Sequence, residues 1–199
     1  PNTLRLTDRL HQALANHLAL AHAARTTFLD DPAFHIDGQP AYDASEILYS
    51  GGSLGHILGG TYVALAPHVR RAALFSGGAG FSFIMMRSSK FYQMLAMVEW
   101  SLPDYLDQQV FVATCQLTFD RVDPLTYAHR TLSNTYPGCP AQRQVLLQIG
   151  IGDSAVPTLS GHLHARALGI PVLDPPVRSL PDLPVAAAAS TTSALVEYD

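Results

Sequence analysis

The chain has 199 residues, 48% hydrophobic and 14% charged, with a formal net charge of -4 and a pI near 6.1. Such a composition suits one globular domain, or a large part of one, and excludes a disordered polymer. No Lys/Arg cluster is present to neutralise phosphates and no run of about 18 apolar residues to cross a bilayer, so nucleic acid, an anionic membrane surface and a transmembrane segment are all disfavoured, while small neutral or apolar substrates fit.

The chain opens on Pro1, and its true start is expected to have been lost, by processing for example. Leu10, Leu14, Leu18 and Ala21 then recur at helical spacing, which predicts an amphipathic helix from Thr7 to about Phe28, capped by Thr7 with Asp8 in its first turn. His11, His17 and His22 lie on it with no acidic neighbour and are read as packing or surface residues. Asp30 to Ser45 carries turn signals at Asp31-Pro32 and Asp37-Gly38-Gln39-Pro40 and is read as loop. From Glu46 an apolar run predicts a buried strand, and a helix-period pattern follows from Leu54 to Ala66, where Pro67 stops it. Ile57, Leu58, Thr61, Tyr62 and Leu65 are expected to face the sheet. Gly59 and Gly60 each cost about 1 kcal/mol relative to Ala, which predicts an unusually close helix–sheet contact.

Arg71 to Ser76 reads as a second strand, ended by Gly77-Gly78-Ala79-Gly80; a strand-helix-strand crossover of this length implies parallel strands. Between 81 and 135 strand patterning lapses. Phe91, Leu95, Val98 and Leu102 fit one helix, and Leu106, Val110, Ala113 and Leu117 a second beyond Pro103. Phe81, Phe83, Met85, Met86 and Tyr92 are either core or the wall of a lid; because the segment interrupts a regular α/β alternation, it reads as a helical cap. Val145 to Ile149 is a third strand, ending in Gly150-Ile151-Gly152-Asp153. Ser160, His162 and His164 open a helix through about Leu168 with Gly169 as C-cap. Pro171 to Pro184 reads as extended loop, and Ser193 to Tyr198 as a fourth strand. Cys115 and Cys139 are read as two unpaired thiols, a single disulfide being the alternative. The fold class is α/β, a mostly parallel sheet with flanking helices.

The chemistry concentrates at Gly51-Gly52-Ser53-Leu54-Gly55. Gly-x-Ser-x-Gly between a strand and a helix is the pattern of a nucleophile elbow: the chain reverses at Ser53 in strained dihedrals, so Gly51 and Gly55 must carry almost no side chain. Ser53 then projects its hydroxyl above the sheet edge, and the Leu54 backbone N–H at the helix start is free to face an oxyanion. A bland strand-turn-helix connection is the competing reading. A phosphate loop would need Gly-Lys-Ser/Thr, and the dinucleotide Gly-x-Gly-x-x-Gly spacing is absent. Asp153 stands on the same strand edge as Ser53, where open α/β sheets place their sites; a turn aspartate is its alternative.

Tyr49 to Gly55 with the helix to Ala66, Ala72 to Gly80, and above all Gln148-Ile149-Gly150-Ile151-Gly152-Asp153-Ser154-Ala155-Val156-Pro157 resemble the α/β-hydrolase family, in its bacterial lipase and esterase branch. The resemblance implies that the four strands are the fifth to eighth of an eight-stranded sheet, with Ser53 as nucleophile, the Leu54 amide as one oxyanion donor and Asp153 as the triad acid. The family's histidine would lie beyond Asp199 and its second oxyanion donor before Pro1. Residues 1–199 are therefore expected to be a partial α/β-hydrolase domain, incomplete at both ends, whose first partners are the missing N- and C-terminal parts. His162 and His164 are expected to lead away from the edge, and His56 to lie on the helix surface. The implied activity is that of a serine hydrolase acting on small apolar carboxylic esters without cofactor or metal. The alternatives are a non-catalytic domain of the same fold serving in binding or assembly, or amide hydrolysis or acyl transfer on the same scaffold. The compartment stays open, the resemblance leaning toward a secreted or cell-surface bacterial protein.

Overall fold

In the computed structural model, which describes residues 3–199, a long helix α1 (Thr3–Arg25) leads through two single 3₁₀ turns into a small antiparallel hairpin, β1 (His35–Ile36) and β2 (Gln39–Pro40). The helix starts ahead of Thr7, because Leu4, Arg5 and Leu6 are good helix formers. Thr7 is thus no cap: its hydroxyl donates to the Leu4 carbonyl at 3.1 Å. Asp8 lies outside the first turn and pairs with Arg121 at 2.9 Å. Leu14 is buried, with Leu10 and Leu18 packed beside it, so the predicted stripe does face the core.

The main sheet follows. In chain order it is built from β3 (Ile47–Gly52), α2 (Leu54–Leu65), β4 (Val69–Phe75), a helical stretch of α3 (Phe81–Arg87), α4 (Tyr92–Ser101), α5 (Tyr105–Phe119) and α6 (Pro124–Tyr127), then β5 (Gln144–Gly150), α7 (Thr158–Leu168), β6 (Val172–Leu173), β7 (Val185–Ala186) and β8 (Ala194–Tyr198). The strand order is β3-β4-β5-β8-β6-β7, and every neighbouring pair is parallel. The sheet therefore has six strands among the described residues, where four were expected. The two additional strands lie within and just beyond the proline-rich passage. Prolines supply carbonyl acceptors but no donors, so pairing there is brief: the Val172 N–H reaches the Pro184 carbonyl at 2.8 Å and the Asp174 N–H the Ala186 carbonyl at 3.0 Å.

One face of the sheet is the core. Leu74, Val145, Leu147, Ile149 and Leu195 are buried there, with α2 and α7 against the strands. Gly59 is the close approach that the sequence implied, since a Cβ on it would stand 2.5 Å from the Tyr49 ring of β3. Gly60 and Thr61 point elsewhere. A Cβ on Gly60 would crowd Pro124 and His164, and the Thr61 hydroxyl donates to the Val122 carbonyl at 2.8 Å, so this side of α2 packs on α6 and α7 rather than on strands. Within 81–135, Phe81, Ile84 and Met85 are buried core, while Tyr92, Trp100, Tyr105 and Leu106 are exposed. Both cysteines are free thiols.

Candidate active site

The turn from β3 into α2 is fixed by its backbone. Ser53 takes φ 54° and ψ -120°, a conformation costly for any residue with a side chain. Its N–H extends the β3–β4 ladder by donating to the Phe75 carbonyl at 3.0 Å. Its carbonyl accepts from the His56 and Ile57 N–H groups at 2.9 and 3.1 Å, which starts the helix. Held on both sides, the residue presents its side chain to solvent. Leu54 is the first residue of α2, so its amide has no acceptor within the helix.

The two glycines of the motif differ. A Cβ on Gly51 would run into the Gly55 carbonyl, which the Tyr49 hydroxyl also engages at 2.7 Å. Gly51 is thus required for the strand and the helix start to approach. A Cβ on Gly55 meets nothing within 4 Å, so the steric need expected there is absent among the described residues.

Asp153 follows β5 through Gly152, whose φ of +75° makes the turn. Its Oδ1 accepts from the Ala155 N–H at 2.7 Å and the Val156 N–H at 3.0 Å. The carboxylate thus does the work of a turn aspartate with one oxygen, while Oδ2 has no partner among the described residues. β4 lies between β3 and β5, so Ser53 and Asp153 both follow strands that end at the same edge of the sheet, with one strand between them. No hydrogen bond joins the two residues among those described. β8 ends at this same edge, beside the acid loop, with the Ile151 N–H on the Tyr198 carbonyl at 2.8 Å.

Among the described residues, none of the nine histidines is hydrogen-bonded to Ser53 or Asp153. His56 is not on the surface, as expected, but fully buried, its Nε2 3.0 Å from Nδ1 of His164. Burial lowers the pKa of both rings, His56 well below the usual histidine value and His164 to about 4, so the pair is neutral at pH 7. His162 is 2.7 Å from Oε1 of the buried Glu197, next to the end of β8, and Glu197 also takes two donors of Arg178. Sequence reasoning missed Asp123 as well. Its buried carboxylate accepts from the N–H groups of Gly80, Phe81 and Leu125 and from the Gln116 amide, pinning the start of α3 to α5 and α6. The signal for it was Asp123-Pro124, a helix N-cap followed by Pro at the first position.

The helical stretch meets the acid loop directly. The Ser89 N–H donates to the Ser154 carbonyl at 2.8 Å, and the Ser88 hydroxyl donates to the Ala155 carbonyl. Between them lies a cleft of about 330 Å³ with a mixed lining, Met86, Tyr92, Leu95 and Ala96 beside Arg87, Glu99, Ser88, Ser89 and Ser154.

No protein-family model matches the chain, and no curated protein sequence matches it. Solved structures do. Acetyl xylan esterase 1 from Thermoanaerobacterium superposes with a TM-score of 0.50 at 14% identity, over 81% of this chain and 41% of that one. The acylaminoacyl peptidase of Pyrococcus horikoshii gives 0.48 at 11% identity, over 79% and 19%. The esterase match carries the structural argument. The chain has the α/β-hydrolase fold, and it spans about two fifths of the length of that esterase (41%).

Proposed function

We propose that the full-length protein is a serine hydrolase of carboxylic esters, with Ser53 as nucleophile and the Leu54 amide as one oxyanion donor. Asp153 is the acid that orients a histidine supplied from outside these 199 residues. The observation that carries the reading is the Ser53 backbone, φ 54° and ψ -120°, at an exposed strand-to-helix apex. A residue held in strain with its hydroxyl in solvent and a free helix-start amide beside it is poor structure and good nucleophile geometry. Ser53 would attack the acyl carbon as the histidine takes its proton; the tetrahedral oxyanion, held on the Leu54 N–H, would collapse to the acyl-enzyme as the C–O bond breaks and the alcohol leaves with that proton, and water activated by the same histidine would then release the acid and restore Ser53.

The α3–α5 segment is read as the cap, and Met86, Tyr92, Leu95 and Ala96 in the cleft beside Ser154 would take the acyl or aromatic part of an ester. The test is labelling of the full-length protein with a fluorophosphonate, followed by peptide mapping. Modification at Ser53, abolished in Ser53→Ala, is expected; an unreactive Ser53 in the intact, folded protein would leave the non-catalytic binding domain as the better reading.

A further inference from the structure

A second set of polar side chains converges at the edge of the sheet opposite Ser53, where the parallel strands begin. There β4, β5 and β8 start beside a cavity of about 580 Å³ that Arg70, Arg71 and Arg143 all line. The chain has 12 Lys and Arg against 16 Asp and Glu, yet among the described residues this cavity holds three guanidinium groups and one carboxylate, Glu46. The register of the sheet brings this about. Ile47 pairs with Val69 and Leu48 with Arg71, so Arg70 is an extra residue in β4 with no partner in β3. Consecutive strand residues ordinarily point to opposite faces, and a bulge of this kind re-aims them. Arg70 and Arg71 accordingly both reach the one cavity.

The three cations are not equivalent. Arg71 is held by Glu46 through contacts of 2.7, 2.8 and 3.1 Å, and each offsets the other's charge. Arg143 is engaged by the carbonyls at the end of α2. The end of α7, also at this edge, is closed by the Gly169 and Ile170 N–H groups on the Arg166 and Ala165 carbonyls at 3.0 and 3.1 Å. The negative helix ends are thus already matched by donors. Arg70 remains: it is exposed, and its guanidinium makes no hydrogen bond or ion pair among the described residues. Around it stand further donors that have no acceptor among those residues. They are the side-chain amides of Gln142 and Gln144, the Thr192 hydroxyl, and the hydroxyl proton of Ser193, whose oxygen takes the Val145 N–H at 2.9 Å.

We propose that this cavity is a phosphate-binding site, with the Arg70 guanidinium as its charged centre and Gln142, Gln144, Thr192 and Ser193 as neutral donors. A phosphate presents acceptor oxygens in several directions, which suits a planar fork surrounded by amides and hydroxyls. The volume lies in the range of small-molecule sites, so a phosphate monoester of a small organic alcohol fits as well as the free ion. The site is a whole strand length away from Ser53 and does not rest on the reading of that residue as a nucleophile.

Calorimetric titration of the full-length protein with inorganic phosphate, and separately with phenyl phosphate, tests this at constant ionic strength. Saturable binding of at least one, with a Kd at or below about 1 mM, is expected. Arg70→Gln is expected to weaken it by about tenfold or more, and Arg70→Lys to recover only part, because an ammonium replaces the fork. Arg70 is exposed and unpartnered, so both variants should keep the wild-type urea midpoint in phosphate-free buffer. The rise that phosphate gives the wild-type midpoint should vanish in Arg70→Gln. Arg9→Gln, on the exposed side of α1, removes an equal charge elsewhere and should bind as wild type does. Tighter binding of phenyl phosphate marks an organic phosphate as the ligand, and tighter binding of inorganic phosphate marks the free ion. No saturable binding of either, equal weakening in Arg9→Gln, or acetate bound as tightly as phosphate overturns the proposal.

Discussion

Ser53 is held where an unconstrained serine would not stay, and residues in such dihedrals cost about 1–3 kcal/mol that the surroundings must offset. The surroundings here are two backbone hydrogen bonds into α2, one into β4, and the close approach of Gly51 to Gly55. The two motif glycines therefore make unequal predictions. Gly51→Ala forces its methyl into the Gly55 carbonyl and is expected to destabilise the full-length protein by about 1–3 kcal/mol in urea unfolding and to abolish labelling of Ser53. Gly55→Ala enters open space inside a helix and is expected to be neutral or stabilising by up to about 1 kcal/mol. Equal costs for the two would refute this account of the turn. The motif and Asp153 could be read from the sequence because each sits beside a strand end that the local pattern marks. The His56–His164 bond could not, since its partners are 108 residues apart and nothing local to either announces the other.

At the level of elements, Arg143 joins pieces that the sequence pattern left separate. It is 4% exposed, and its guanidinium donates to the carbonyls of Ala64 and Ala66 at the end of α2, Val69 at the start of β4, and Thr131. A cation suits the negative end of a helix, which is why this buried charge is stable without a carboxylate. Arg143→Met leaves several buried carbonyls without donors and is expected to cost roughly 2–4 kcal/mol. Arg143→Lys should recover little of it, because one ammonium cannot reach acceptors spread around a planar fork. A lysine variant as stable as wild type in urea titrations would contradict the argument. The four long strands and the helices α2, α4, α5 and α7 were legible as apolar runs or helical stripes bounded by Gly and Pro. Strands β6 and β7 were not: two residues each give no alternation to read, and only the presence of β8 beside them makes pairing worthwhile. Glu197 on β8 fastens this region through Arg178 in the proline-rich passage. Glu197→Gln should open residues 174–184 to proteolysis before the rest of the chain, whereas uniform digestion would show that the contact does not hold the passage down.

Across the whole molecule, the sheet is covered on one face and bare on the other among the described residues, with Leu48 61% and Phe75 41% exposed. Parallel sheets are ordinarily buried on both faces; on the covered face His56, His164 and Glu197 are all enclosed. The pH dependence follows from those groups. His164 titrates near 6.5 when unfolded and about 4 when folded, so between these values the unfolded chain binds a proton that the native ring refuses. Stability is complete above 6.5 and falls as the pH drops toward 4, by about 3 kcal/mol for a shift of this size. His56, lowered by burial and by its neighbour His164, adds a loss of the same sign. For Glu197, burial raises the carboxyl pKa, but Arg178 and His162 outweigh it and the net is lowered; its contribution, present above the ordinary glutamate range, disappears only as pH falls through the lowered value. The acid limb should therefore begin below neutrality, on the histidines, and steepen below pH 4 on Glu197. Urea midpoints of the full-length protein at pH 7, 5.5 and 4.5 test it: wild type is expected to lose stability across this range, and His164→Phe, which has no proton to accept at that position, to lose distinctly less. Parallel curves for the two proteins would remove the buried pair as the source of the acid sensitivity.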